Sequence, residues 1–409
     1  MSKVTKPVVL DETAKQVVAQ MQLQNEILTS LASGINYKPT SIKDVLNVVR
    51  AGQASKVFQV GDQIIVPWTD IATRQKYDVP LDIVAFGTSA LQDGEELPSM
   101  TVQWHYATPF GVQFNQCQAF FYATEGLAAG TYYIEIGTTW GDKGYCVAGK
   151  KYQFTLTKPV PAGGQLAGFR GAPDQAPSTW KVYSYNSKTA VDAIETVSVT
   201  EGSSGTSLGV LKFGGDGKLN CLQRTAYGYN RWSQSAMRWL NSDKGVGEWW
   251  TPQNDYDRCP DQLATKAGFL TGFDADFLEI LRPTKVVTAL NTVTDSTSSN
   301  SVEPLETTYD KIYLPALEQM SIEPELTGEG STWDYWKRAS NMTTKMKKWQ
   351  TYPQIRTFAI ENHTSPRGVR LRSADRGNSY GAWCVYSSGC VGSGHAVAAY
   401  RCAPACDFC

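Results

Sequence analysis

Cys402, Cys406 and Cys409 close the chain as C-x3-C-x2-C, a dense local grouping of metal-ligand residue types. Thiolates so spaced suit a tetrahedral zinc site, which needs four Cys or His ligands. The local pattern holds no fourth ligand, and the chain has three histidines in all, His105, His363 and His395. Reduced, partly buried thiols are the expectation, with no metal and no cofactor. Nine cysteines are an odd number, so at least one stays unpaired within the chain. His105 stands in a strand-like stretch and His363 in the loop Asn-His-Thr-Ser-Pro; neither pattern makes a general base. Neither G-x-S-x-G nor H-E-x-x-H occurs. Asp274 and Asp276 have the spacing of a calcium or glycosidase pair, but they more readily cap the helix that follows them. Catalytic residues are therefore expected to be absent.

Recognition is the chemistry left, and it points to the tail, residues 370–409. Leu371, Arg372, Ser373, Trp383, Val385, Gly389, Val391, Ala396 and the closing Tyr-Arg-Cys-Ala-Pro run read as a framework. Between them stand Gly377, Ser379, Gly381, Cys384, Tyr386, Ser388, Cys390, Gly392, Ser393, Gly394, His395, Val397 and Ala398. From Trp383 to Val391 apolar and small polar residues alternate with period two, which predicts one core face and one exposed face. A Gly/Ser-rich terminal hairpin with no ligand is the plain alternative. Tyrosine, histidine and small residues on a rigid sheet also suit a binding surface. Tyr386 and His395, with Tyr380 and Asp375, are the side chains large enough to dominate such a surface.

The elements that must position this tail follow from the rest of the chain. At 409 residues and 42% hydrophobic content the chain exceeds one ordinary domain. A net charge of −1 gives no electrostatic footprint for nucleic acid. With 19% charged residues and 35 glycines the surface should be polar and rich in turns. The opening residues lack an apolar leader and no stretch is long enough to span a bilayer, so synthesis without export and no membrane insertion are expected. Leu10, Ala14, Val17, Met21, Gln24, Leu28 and Leu31 recur at spacings of three and four after a capping Asp11. They make either a short coiled coil or a single amphipathic helix. Strands are predicted over 57–67, 77–87, 100–106, 118–122, 130–137, 151–156 and within 180–199. Residues 233–242 and 333–338 read as short helices. Residues 278–287 read as a helix breaking at proline into a strand, and 311–315 as a strand.

The order Arg-Trp-Leu-Asn (238–241), Lys-Ile-Tyr-Leu-Pro-Ala-Leu-Glu (311–318), Arg-Leu-Arg-Ser (370–373), Ala-Trp-Cys-Val (382–385) and Arg-Cys-Ala-Pro (401–404) resembles a phage and gut-bacterial family. That family has a C-type-lectin-like, formylglycine-generating-enzyme-like fold. The tail is similar to the variable region of retroelement-diversified proteins, of which the phage major tropism determinant is the familiar case. The resemblance implies an α+β chain: a helical anchor at 1–40, opening strands of the lectin-like domain at 56–106, an inserted β-rich module at 107–200, and the lectin-like domain at 214–409. It implies Arg372 and Arg401 as hydrogen-bonding anchors, Trp383 and Val385 as core, and Pro404 at the end of the last strand. Adenine-directed mutagenesis of asparagine-type codons yields the residue types found at the interleaved positions, Cys384 and Cys390 included. The implied function is that of a virion adhesin for a host-surface glycan or protein, a homotrimer joined to other virion proteins through its N-terminal segment. A formylglycine-generating or glycan-acting enzyme and a structural virion decoration protein are the alternatives.

Overall fold

The computed structural model describes residues 38–114, 118–123, 125–137, 147–160, 162, 165–170, 179–183, 195–202, 204–211, 219–223, 230–249, 261–290, 305–340, 358–376, 381–396 and 398–409, and isolated positions between 18 and 29. Of the N-terminal repeat, Met21 and Leu28 are helical and 58% and 45% exposed. Asp11, Leu10, Ala14, Val17, Gln24 and Leu31 lie outside the described residues. The fold is α+β, with few helices and many strands in several small sheets.

Helix α1 (Ile42–Arg50) begins at a capping box, in which Ser41 and Asp44 satisfy each other's free backbone N–H groups. Its Val45, Leu46, Val48 and Val49 are buried. A single turn, α2 (Ala54–Val57), leads into strands β1 (Gln63–Thr69), β2 (Lys76–Ala90) and β3 (Glu96–Trp104). The strand expected from residue 57 starts only at Gln63, because α2 takes Val57 and Gly61 turns the chain at φ 98°. Pro67 is tolerated because β1 is an edge strand.

The next strands are β4 (Val112–Gln113), β5 (Gln118–Ala123), β6 (Gly130–Ile136), β7 (Lys151–Leu156), β8 (Gln165–Arg170), β9 (Thr179–Tyr183), β10 (Glu195–Glu201), β11 (Thr206–Leu211) and β12 (Leu219–Gln223). Strands β5 to β12 form one eight-stranded sheet in the order β11-β6-β7-β10-β9-β8-β5-β12. Its strands therefore run to Gln223, beyond the residue 200 read from sequence. Strand β7 alternates half-exposed and buried residues, with Tyr152, Phe154 and Leu156 inward, as a sheet covered on one face should.

The predicted helix at 233–242 is instead two 3-10 turns, Trp232–Gln234 and Ala236–Asn241. Its apolar stripe is as expected, with Ala236, Met237, Trp239 and Leu240 buried. Bonds from Arg238 N–H to Ser235 O and from Ser242 N–H to Trp239 O tighten the run. After α3 (Asp261–Ala264) and a 3-10 turn at Phe269–Gly272, α4 (Ala275–Ile280) is capped by Asp274, whose Oδ1 accepts from Phe277 N–H at 2.8 Å. Asp276 lies on the surface, 3.0 Å from Lys43. Strands β13 (Thr284–Ala289) and β14 (Leu305–Asp310) form a hairpin. The strand expected at 311–315 is an extended run with one isolated bridge, Tyr313 to Ala405. Asn241 Oδ1 takes the N–H groups of Lys311 and Ile312, and Pro315 has none to offer a ladder.

Beyond α5 (Asp334–Ser340) come β15 (Val369–Ala374), β16 (Gly381–Val385), β17 (Val391–His395), β18 (Ala399–Tyr400) and β19 (Ala405–Phe408). Strand β19 pairs with β3, completing a β1-β2-β3-β19 sheet, so the chain's last strand lies against its opening ones. Pro404 precedes this strand rather than ending it, because a residue without an N–H suits a strand's start. One core joins the opening sheet, the turns and helices of 232–336 and the terminal strands. Trp68 meets Phe269 at 5.1 Å and Trp104 at 5.5 Å between ring centroids, and Phe277 meets Phe408 at 6.0 Å. Buried Asp407 accepts from Thr101, Thr284 and Tyr313, each on a different segment. An acid so paired fixes the register of all three.

Candidate binding surface at the C-terminal sheet

Strands β15, β16 and β17 form a three-stranded antiparallel sheet, with Val369 opposite Val385 and Cys384 opposite Gly392. Trp383, Val385 and Val391 are buried as read from sequence. The other face differs from expectation: all five residues of β16 are buried, including Cys384 at 0% exposed. The cause is Arg370, which pairs with Cys384 and so projects onto the face expected to be open.

Arg370 is itself 0% exposed. Its Nη1 donates to Ala382 O at 2.7 Å and Gly394 O at 2.9 Å, and its Nη2 to His395 O at 2.8 Å and Ala398 O at 3.2 Å. The guanidinium lies 4.3 Å from the ring centre of Tyr400, a cation–π distance. A Cβ at Gly394 would stand 2.7 Å from the Tyr400 hydroxyl oxygen, and one at Gly368 2.5 Å from its ring. Tyr400 thus lies closely over two glycines, and a larger residue at either must displace its ring. Tyr386 completes the cover, its hydroxyl donating to Ser393 O at 2.7 Å and its ring 6.3 Å from that of Tyr400. Burial pushes the Cys384 thiol up, away from the reactive thiolate.

Arg372 is an interior anchor of the same kind. It is 1% exposed and donates to Val287 O, Leu314 O, Thr288 Oγ1, Gln319 Oε1 and Glu329 O. Arg401 is half-buried, with its Nη1 on Thr108 O at 2.9 Å and on Glu361 at 2.7 Å.

The sequence-derived positions thus divide into three groups. Tyr386, Ser388 and Cys390 form the turn joining β16 to β17, with Ser388 exposed and Tyr386 and Cys390 half-buried. Asp375, Gly381, Ser393, Gly394 and His395 cluster at the opposite end, and His395 is exposed. Asn230 Nδ2 holds that end by donating to Gly381 O at 2.6 Å and Asp375 O at 3.2 Å. A Cβ at Gly381 would come within 2.5 Å of Ser393 Oγ. Cys384 and Gly392 lie between the ends, buried. Gly377, Ser379, Tyr380 and Val397 fall outside the described residues. Among the described residues, solvent therefore meets the tail at two ends of the sheet rather than across one face. Sequence reasoning missed Arg370 and Tyr400 as the cover, although an arginine at period two from Arg372 was a visible signal.

The closing cysteines are interior. Burial pushes the Cys402 thiol up to about 12 and the Cys409 thiol up to about 11, and raises Cys406 as well. Among the described residues no three His, Cys, Asp or Glu side chains are grouped to hold a metal ion. Residues 218–407 match a family model described as Domain of unknown function (DUF6273), a span that begins at the last strand of the eight-stranded sheet and ends in β19. No curated protein and no solved structure matches the chain.

Proposed function

We propose that the chain is a phage virion adhesin, which recognises a host-surface glycan or protein through a C-type-lectin-like domain with a diversified tail. The observation that carries this reading is the contrast within the terminal sheet. Arg370 and Arg372 lock its interior through backbone carbonyls, while Ser388 and His395 reach solvent at its two ends. Such a frame tolerates change at its ends without unfolding, which is what a diversified surface requires. Pairing of β19 with β3 supports the same reading, because it ties the tail to the opening strands of the domain. The exposed Met21 and Leu28, one heptad apart, support a homotrimer that docks to other virion proteins through the N-terminal segment. Individual contacts of small residues are weak, and such an array supplies avidity.

Sibling phage genes test the diversification. Changes should concentrate at Ser388, Cys390 and His395 and be absent from Arg370, Arg372 and Trp383; evenly spread changes refute it. Binding of the purified chain to host cells tests the adhesin itself, with His395→Ala plus Ser388→Trp expected to weaken it about tenfold.

A further inference from the structure

We propose that the hairpin 358–366, with the rings packed on it, is a second contact element at the Ser388 end of the sheet, and that its ligand is a saccharide. This rests on the adhesin reading and narrows it to one class of ligand and one additional segment. Two of the chain's three histidines stand on the single ring of Tyr106. His363 stacks on it at 4.1 Å with the planes 6° apart, and His105 meets it edge-on at 4.6 Å. His105 Nδ1 lies 2.8 Å from Oδ2 of Asp82, whose side chain is 2% exposed, and Gln63 Nε2 donates to Asp82 Oδ1 at 2.8 Å. The His105 imidazole, held by this pairing, is 35% exposed.

The hairpin is held rigidly. Ala359 lies beside Ala107, and Ala107 N–H donates to Phe358 O at 2.9 Å. Asn362 Oδ1 accepts from the N–H groups of Thr364 and Ser365, and His363 is held at φ 58°. Arg401 joins the hairpin to the tail: its N–H donates to Gly368 O and its guanidinium reaches Glu361. Gly368 in turn precedes Val369, the partner of Val385 at the foot of the turn holding Ser388.

The exposed chemistry of this end is polar and planar. Stacked rings offer a flat face to the C–H side of a sugar ring, and Glu361, Thr364 and Arg367, all exposed on or next to the same hairpin, carry donors and acceptors for hydroxyl groups. A protein partner instead calls for a desolvated apolar centre. Phe358, 46% exposed, and Ile65, 55% exposed and two residues along β1 from Gln63, stand apart on the hairpin and on an edge strand rather than in such a centre.

The test uses the full chain, a panel of bacterial strains and polysaccharide extracted from any strain it binds. His363→Asn removes the ring while keeping a residue that accepts the left-handed backbone. Polysaccharide binding should weaken about tenfold, or about 1.4 kcal/mol, with the melting temperature unchanged. Periodate treatment of the cells should abolish binding and proteinase should not. A chain that binds cells while His363→Asn binds equally overturns this proposal alone, as does loss of binding after proteinase with periodate harmless. A chain that binds none of the strains overturns the adhesin reading with it.

Discussion

At the scale of single residues, Arg370 and Tyr400 decide which tail positions are free. The guanidinium neutralises four carbonyl dipoles inside the sheet, and Tyr400 seals it by lying against Gly394 and Gly368. Any side chain at Gly394 must displace that ring or the strand. Gly394→Ser should therefore cost about 1–3 kcal/mol, the range for overpacking a filled site. Ser388→Thr, at an exposed turn position, should stay within about 0.5 kcal/mol. Urea unfolding of the two variants gives the comparison, and equal midpoints would show that Tyr400 is not wedged. Composition alone ranked Gly394 and Ser388 together, because both are small residue types in a small-residue tail. What separates them is a neighbour six residues on, visible only once β17 and β18 are placed.

Elements were more legible than contacts. Strands at 130–136 and 151–156 follow from β-branched and aromatic runs bounded by glycine, and α4 follows from Asp274 ahead of an apolar turn. The terminal strands were also readable, yet their period-two pattern implied an open face. Alternation reports side-chain polarity, not what covers it, and here a buried arginine from β15 covers small residues on β16 and β17. The pairing of β19 with β3 joins residues some three hundred positions apart, which no local pattern encodes. That pairing has a testable consequence. Deleting 405–409 strips β3 of one of its two partners and removes Asp407, leaving the Thr101 and Thr284 hydroxyls and the Tyr313 phenol without their shared acceptor. Leaving buried polar groups unsatisfied costs about 1–3 kcal/mol each. The shortened chain should lose cooperative thermal unfolding in calorimetry; an unchanged transition would mean that β19 is dispensable to the core.

At the scale of the whole molecule, the buried thiols and phenols make stability depend on pH from the alkaline side. Cys402 rises from an ordinary 9.0 to about 12 because it is buried, and Cys384, Cys406, Tyr313 and Tyr400 are raised for the same reason. Below about pH 9 the Cys402 thiol is protonated in both folded and unfolded chains, so its contribution is fully present. Between about pH 9 and about pH 12 the unfolded chain releases that proton while the folded chain keeps it. The folded state then binds more protons, and stability must fall as pH rises. Cys402→Ser isolates this effect, because a hydroxyl can still meet Thr108 Oγ1 but does not titrate in the window. Urea midpoints should decline above about pH 9 in the parent chain and decline less steeply in the variant. Parallel declines would assign the alkaline loss to the other raised groups, and a variant steeper than its parent would contradict burial as the cause. The same logic ties the closing cysteines to the core, where Cys402, Cys406 and Cys409 are all buried and act as packing material.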